Sequence, residues 1–211
     1  MKAYIPYGGT FATPFARWGG ELAHLHAIEF AAHVTKAALA ERDISPEVFD
    51  YAAYGLTVPQ KSSFYGVPWF AGMIGAEALT GPTINQACAT GARLFGAAAG
   101  EIAIGAASTC LIVSGDRCSN GAHLYYPAPH APGGTGDSEN WVLDSFSNDP
   151  WAKCAMVTTA ENVAARDGIT TEEQHEVVLR RLAQYDDALA DDAAFLKRFM
   201  TLPFEVPDAR F

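Results

Sequence analysis

The chain has 211 residues, 49% of them hydrophobic and 18% charged, with a formal net charge of −10. That length suits one large domain or a domain with an appendage, and the apolar bias calls for a large buried core or a large subunit interface. The acidic balance and the lack of a dense Lys/Arg block argue against nucleic acid and anionic membranes as partners. No apolar run approaches the roughly 20 residues of a membrane span, and the start lacks the apolar stretch of a signal peptide, so a cytoplasmic location is expected. The four cysteines, Cys88, Cys110, Cys118 and Cys154, form no CxxC pair and have no histidine pair at zinc-ligand spacing. They are expected as free thiols, with no metal bound.

In chain order, residues 3–7 read as a short strand. Residues 22–41 read as a helix with Ala27, Phe30, Ala31, Val34 and Ala38 on one face. Residues 50–58 read as a strand, 68–79 as a buried helix, and 82–87 as a strand ending at Cys88. Residues 90–104 form a helix that is apolar nearly all round, with Gly105 placed to end it, and 108–114 form a second apolar strand. This alternation predicts an α/β layer structure around a buried central helix. From 117 to 157 prolines, glycines and aromatics dominate; so long a stretch without regular structure reads as a functional lid. Thr158-x-x-Glu161 and Thr171-x-x-Gln174 read as capping boxes of two helices, with Gly168 ending the first. In the second helix Val178, Leu182, Tyr185 and Leu189 form a stripe, read as a packing face. The change of character places a boundary at 118, dividing a core domain, 1–118, from a lid or loop domain, 119–211.

The chemistry concentrates in Ile84-Asn85-Gln86-Ala87-Cys88-Ala89-Thr90-Gly91, which runs from a strand into a helix. A cysteine there meets the positive end of the helix dipole, which favours thiolate. Nearby N–H groups unused by the helix are free to hold an oxyanion. The small Ala87, Ala89 and Gly91 leave room for an acyl group. Free cysteine also commonly packs as an inert small hydrophobe, and on position and neighbours alone that reading leads.

Family resemblance reverses the order. Asn85-Gln86-Ala87-Cys88-Ala89-Thr90-Gly91 resembles the nucleophile motif of thiolases, Asn-Gln-x-Cys-x-Ser/Thr-Gly. Thr13-Pro14-Phe15 resembles the Arg-Thr-Pro-Phe near the thiolase start, with Ala12 in place of the arginine. Residues 101–114 lead to Ser114-Gly115-Asp116-Arg117-Cys118-Ser119-Asn120, a partial match to Gly-Gly-x-Glu-x-Met-Ser. Residues 156–163 resemble the family's His-Met-Gly-x-Thr-Ala-Glu-Asn segment, with Ala155 at the histidine; residues 172–174 and 203–206 also fall where the family has comparable segments. The loop 121–151 does not resemble the usual thiolase loop. The carboxyl-half motifs Asn-Glu-x-Phe, Gly-His-Pro and Cys-x-Gly-Gly do not occur.

The resemblance implies the amino-terminal thiolase half, a layered αβα fold with a largely helical loop domain. It implies acyl transfer between CoA and a 3-ketoacyl-CoA through a thioester on Cys88, with the Cys88 N–H helping to hold the oxyanion. Met156, Ala89 and Gly91 would border the substrate. Coenzyme A enters as substrate and no other cofactor is implied, which places the chain in lipid metabolism. Activity would require a carboxyl half, in a homodimer or a hetero-oligomer with a chain that supplies it. The alternative is a non-catalytic CoA-binding or partner subunit of the same fold. A thiolase-like lyase is disfavoured, because such relatives often lack the cysteine. Of the remaining residues, His24, His26 and His33 read as surface or packing residues of a helix, and His123 and His130 as solvated loop residues. Cys110 reads as core and Cys118 as core or pocket wall; Cys154, two residues before Met156, reads as a residue outside the acyl pocket, with a place in the pocket lining as the lesser alternative. Gly133-Gly134-Thr135-Gly136 has no preceding strand and no following lysine, so it reads as a turn and not a phosphate loop.

Overall fold

A computed structural model describes residues 2–206. It divides into two compact units, residues 2–122 with 204–206, and residues 123–203. The last described residues thus return to the first unit, and residues 207–211 of the expected loop segment lie outside the described residues. No helix among the described residues is long and apolar enough to cross a membrane.

The first unit is built on a parallel sheet of β1 (Tyr51–Gly55), β2 (Thr83–Ile84) and β3 (Cys110–Ser114), in the order β2-β1-β3. The helices are α1 (Ala27–Glu41), α2 (Gly66–Ile74) and α3 (Thr90–Ile104). Successive side chains of a strand point to opposite faces, and β1 shows it directly. Tyr54 turns toward α1 and α2: its ring lies 5.3 Å from that of Phe70, and its hydroxyl donates to Ala27 O and Gly115 O, each at 3.3 Å. That burial pushes the Tyr54 phenol far above its ordinary range. Gly55 turns the other way, toward Thr90 and Leu94 of α3. Strand β3 repeats the alternation: Leu111 and Val113 join the core with α1 and α2, while Cys110 Sγ lies 3.9 Å from Ala98 O of α3. The result is an αβα layer arrangement, as the sequence predicts, but α3 is not the buried central helix expected: only Thr90, Leu94 and Ala98 of it are buried.

Several expected elements are shorter or absent. Residues 3–7 form no strand. Strand β1 covers five residues of the expected 50–58, and the chain enters α1 at Ala27, after turns through 22–25. His26 caps that helix, its Nδ1 accepting from Ile28 N at 3.3 Å while Nε2 meets Lys61 O at 2.8 Å. The buried face of α1 is Ala27, Ile28, Ala31, Ala32, Thr35, Ala38 and Leu39, so Ala27, Ala31 and Ala38 lie on it as expected while Phe30 and Val34 sit at its margin.

The second unit holds an antiparallel hairpin, β4 (His123–Tyr126) with β5 (Asp137–Asn140), then α4 (Leu143–Ser147), α5 (Met156–Asp167) and α6 (Thr171–Ala193). The stretch expected as an unstructured lid therefore contains a hairpin. Its tip carries Gly133 and Gly134 in the left-handed region, and Tyr126 Oη donates to Glu139 Oε2 at 2.7 Å across the pair. Neither capping box stands where expected. Helix α5 begins at Met156 with Ala155 at its N-cap and no side-chain cap, which puts Thr158 inside the helix, and the box of α6 is Thr170 with Glu173, one residue earlier than expected. Gly168 ends α5 in the left-handed conformation, as predicted. The Val178, Leu182, Tyr185 and Leu189 stripe is exposed.

Candidate functional site

The carboxyl ends of the three strands lie level, with Ile84 and Ser114 on either side of Gly55. The chain steps from β1 to β2 on one side and then, through α3, to β3 on the other. In open parallel sheets, ligands bind outside the carboxyl ends of the strands at such a reversal. Cys88 stands four residues beyond Ile84, at this end of the sheet.

Cys88 is the middle residue of a 3-10 turn, Ala87–Ala89, that runs straight into α3. Its side chain is exposed. Ala89 N–H donates to Gln86 O at 3.0 Å and Thr90 N–H closes on Ala87 O. Neither bond uses the Cys88 N–H, which lies in the last turn before the helix. Ala87 holds a φ of 44°, in the left-handed region, where a Cβ costs about 1–2 kcal/mol. Two side chains hold that conformation. Asn85 Oδ1 accepts from Ala87 N at 3.0 Å. Thr90 Oγ1 accepts from Gln86 N at 2.8 Å and donates to Ala87 O at 2.7 Å.

Thr90 is only 4% exposed, and a glycine beneath it makes that burial feasible. A Cβ at Gly55 would come within 2.8 Å of Thr90 Cγ2 and 2.9 Å of Leu94 Cδ1. The start of α3 therefore sits directly on the β1 backbone, and the cysteine turn is fixed to the sheet.

Ala89 and Gly91 lie on this same turn and the first turn of α3, both exposed, and a Cβ at Gly91 would meet nothing within 4 Å. Met156 opens α5 in the second unit. Cys110 is half-buried; burial, with Asp50 and Glu101 nearby, pushes its thiol up. Cys118 is exposed rather than core, yet desolvation raises its thiol, with added repulsion from Asp116 and from Cys88. Cys154 is half-buried in the second unit, its Sγ 3.7 Å from Thr159 Oγ1.

Residues 114–120 support the site from below. Gly115 N–H donates to Gly55 O at 3.1 Å. Asp116 accepts from Thr57 N at 2.9 Å, Thr57 Oγ1 at 2.6 Å and Val58 N at 3.0 Å, which fixes the loop after β1. Arg117 Nη1 donates to Leu25 O at 2.8 Å and Ser119 Oγ accepts from Gly19 N at 2.8 Å, which ties down the amino-terminal segment. Sequence reasoning saw this stretch only as an imperfect motif. An acidic residue just past a strand end, next to a second loop, is its one legible signal. Among the described residues no group of three or more His, Cys, Asp or Glu is arranged to hold a metal ion.

Comparison with known proteins agrees with this arrangement. Residues 9–208 match the family described as thiolase, N-terminal domain, and the chain belongs to that family. It is 26% identical over 192 residues to an acetyl-CoA acetyltransferase of Yarrowia lipolytica, covering 90% of this chain and 47% of that protein. It is 30% identical over 174 residues to an acetyl-CoA acetyltransferase of Cupriavidus necator, covering 78% of this chain and 42% of that protein. Human mitochondrial 3-ketoacyl-CoA thiolase, solved in complex with CoA, superposes with a TM-score of 0.73 at 25% identity, over 89% of this chain and 48% of that one. The chain thus spans about half the length of the curated relatives it matches.

Proposed function

We propose that this chain is the nucleophile-bearing half of a thiolase-type acyltransferase and that Cys88 accepts the acyl group. The observation that carries the reading is the exposed Cys88 thiol in a fixed turn at the carboxyl end of a parallel sheet, with its own N–H outside the turn's two bonds. The Cys88 sulfur attacks the thioester carbonyl of an acyl-CoA. A new carbon–sulfur bond forms, the bond to the CoA sulfur breaks, and CoA leaves as its thiol with the proton that Cys88 gave up. Splitting carbon–carbon bond chemistry into two acyl transfers lowers each barrier. The Cys88 N–H contributes to the site for the developing oxyanion. Ala89 and Gly91 leave space beside the acyl group, and coenzyme A is substrate with no further cofactor. The acetyltransferase names of the relatives favour acetyl-CoA as donor.

Turnover also needs a base for the thiol and an acid for the leaving carbon, and a carboxyl half supplies them, in the same assembly or from a partner subunit. The outer face of α3 supports such a partner. Phe95 is 46% and Ile104 78% exposed, and a Cβ at Gly96 or Gly100 would meet nothing within 4 Å. An open apolar face with small residues is suited to close helix packing, and a soluble surface rarely leaves one uncovered.

Brief treatment with iodoacetamide at neutral pH, followed by peptide mapping, tests the nucleophile. Cys88 is expected to label first, ahead of Cys110 and Cys118, whose thiols are held up by burial. Faster labelling of Cys110 would refute the assignment.

A further inference from the structure

We infer that Asn85 and Thr90 are positioning residues that hold the Ala87–Ala89 turn in the one conformation that presents Cys88. This rests on the reading of Cys88 as acyl acceptor and adds what keeps that acceptor in place.

The argument begins with Ala87. A non-glycine residue at a φ of 44° relaxes to negative φ unless its surroundings hold it. Relaxation would swing the following peptide, and with it the Cys88 N–H and side chain. Main-chain bonds do not prevent this, because the two bonds of a single 3-10 turn are weak and close with poor geometry. Each peptide group flanking Ala87 is instead gripped by a side chain. On the amino side, Asn85 Oδ1 accepts from Ala87 N at 3.0 Å, and one peptide further back Thr90 Oγ1 accepts from Gln86 N at 2.8 Å. On the carboxyl side, Thr90 Oγ1 donates to Ala87 O at 2.7 Å. The threonine hydroxyl uses its donor and an acceptor lone pair at the two ends of the Gln86–Ala87 segment, which no methyl group can do.

The anchor is rigid where it needs to be. Thr90 is buried, and its methyl group rests on Gly55 beside Leu94. The exposed turn is thus hung from a buried side chain fixed to the central strand. Asn85 is exposed and acts locally, as an Asx-type turn two residues long. A purely structural role for Thr90 would depend on its methyl group and its burial. A positioning role depends on its oxygen.

The experiment compares Thr90→Val, Thr90→Ser, Asn85→Ala and Asn85→Asp in the 211-residue chain. The readouts are the second-order rate of Cys88 carbamidomethylation by iodoacetamide and, alongside, the thermal midpoint. Thr90→Val keeps shape and loses the oxygen; about a tenfold slower reaction at Cys88 is expected, the scale of one lost buried hydrogen bond. Thr90→Ser keeps the oxygen and loses the methyl, so its midpoint falls while the rate stays within about twofold of the parent. Asn85→Ala is expected to slow Cys88, and Asn85→Asp, which restores an acceptor, to recover it. The Asn85 pair lies on the surface and keeps the test open if Thr90→Val fails to fold. Rates in Thr90→Val and Asn85→Ala equal to the parent would overturn the inference, as would a Thr90→Ser rate as low as that of Thr90→Val. Slow labelling of Cys88 in the unmutated chain would instead overturn the nucleophile reading itself, so the two failures are distinguishable.

Discussion

Gly55→Ala is the substitution whose effect the structure defines most sharply. The new Cβ would stand 2.8 Å from Thr90 Cγ2 and 2.9 Å from Leu94 Cδ1, both closer than real Cβ contacts allow, and 3.0 Å from Ser114 Oγ, which is tight. Leu94 is fully buried and Thr90 is held by its two hydrogen bonds, so neither yields freely. Overpacking of this kind costs about 1–3 kcal/mol. Alanine restricts the unfolded chain more than glycine does, which returns about 0.5–1 kcal/mol. The balance is a loss of about 1–2 kcal/mol, seen as a fall of roughly 3–8 °C in the thermal midpoint of the first unit. Far-UV circular dichroism during heating measures it. A double-mutant cycle with Thr90→Ser identifies the cause, because that change removes Cγ2, the atom nearest the new Cβ. Alone, Thr90→Ser costs about 1 kcal/mol for a buried methyl; in the Gly55→Ala background the cost disappears, a coupling of about 1 kcal/mol. An unchanged midpoint for Gly55→Ala, or simple additivity in the cycle, would refute the claim that α3 begins directly on the β1 backbone.

Thr170→Ala removes the oxygen that accepts from Glu173 N at 3.2 Å and breaks the capping box of α6; a loss of about 1 kcal/mol of local stability is expected, read as faster amide exchange in residues 171–175. Asp50 accepts from Ser108 N at 2.8 Å and from Thr109 N at 3.0 Å, and these bonds hold its carboxyl below the ordinary 3.8. Because the folded value is the lower one, its stabilisation is complete above that ordinary value and fades as pH falls from there through the folded value. Asp50→Asn should therefore flatten the acid limb of an unfolding curve and leave its slope near neutrality unchanged. On the proposed division of the base and acid to a carboxyl half, the purified chain alone should show no sustained thiolysis of a 3-ketoacyl-CoA; steady release of acetyl-CoA by this chain alone would contradict that division.

The features legible in the sequence are those set by local rules. Helix α3 keeps its predicted ends because Gly105 supplies a left-handed stop, at a φ of 76°, and its register follows directly from the cysteine turn. The strands are recognisable by type but not by length, since pairing with neighbours decides where a strand ends, and β2 has only two paired residues. The capping box of α6 slips by one because adjacent threonines offer the same pattern, and the observed box is set by which threonine leaves the helix, Thr170 with a ψ of 162°; that of α5 is absent because the helix starts two residues before Thr158, behind Ala155. The hairpin inside residues 117–157 escapes notice because its strands, His-Leu-Tyr-Tyr and Asp-Ser-Glu-Asn, lack apolar alternation and are held by main-chain pairing and the Tyr126–Glu139 bond. At the site, the motif of residues 85–91, through its family resemblance, singles out Cys88, which position and neighbours alone would leave as an inert thiol. The roles of Thr90, Gly55 and Asp116 are invisible in sequence, because each acts across 35 to 59 positions or through a backbone angle that no residue type announces.

The most direct test of the account is the fate of an acyl group offered to the chain. The 211-residue protein is incubated with acetyl-CoA, quenched in acid, and analysed by intact mass and peptide mapping, with Cys88→Ser in parallel and free CoA measured in the same samples. The account predicts a single acetyl thioester on Cys88, labile to hydroxylamine, formed with an equal amount of CoA and absent from Cys88→Ser. Acetylation confined to other residues, or bound acetyl-CoA with no covalent adduct at Cys88 even when a thiolase carboxyl half is supplied, would contradict it and leave a non-catalytic CoA-binding subunit as the reading.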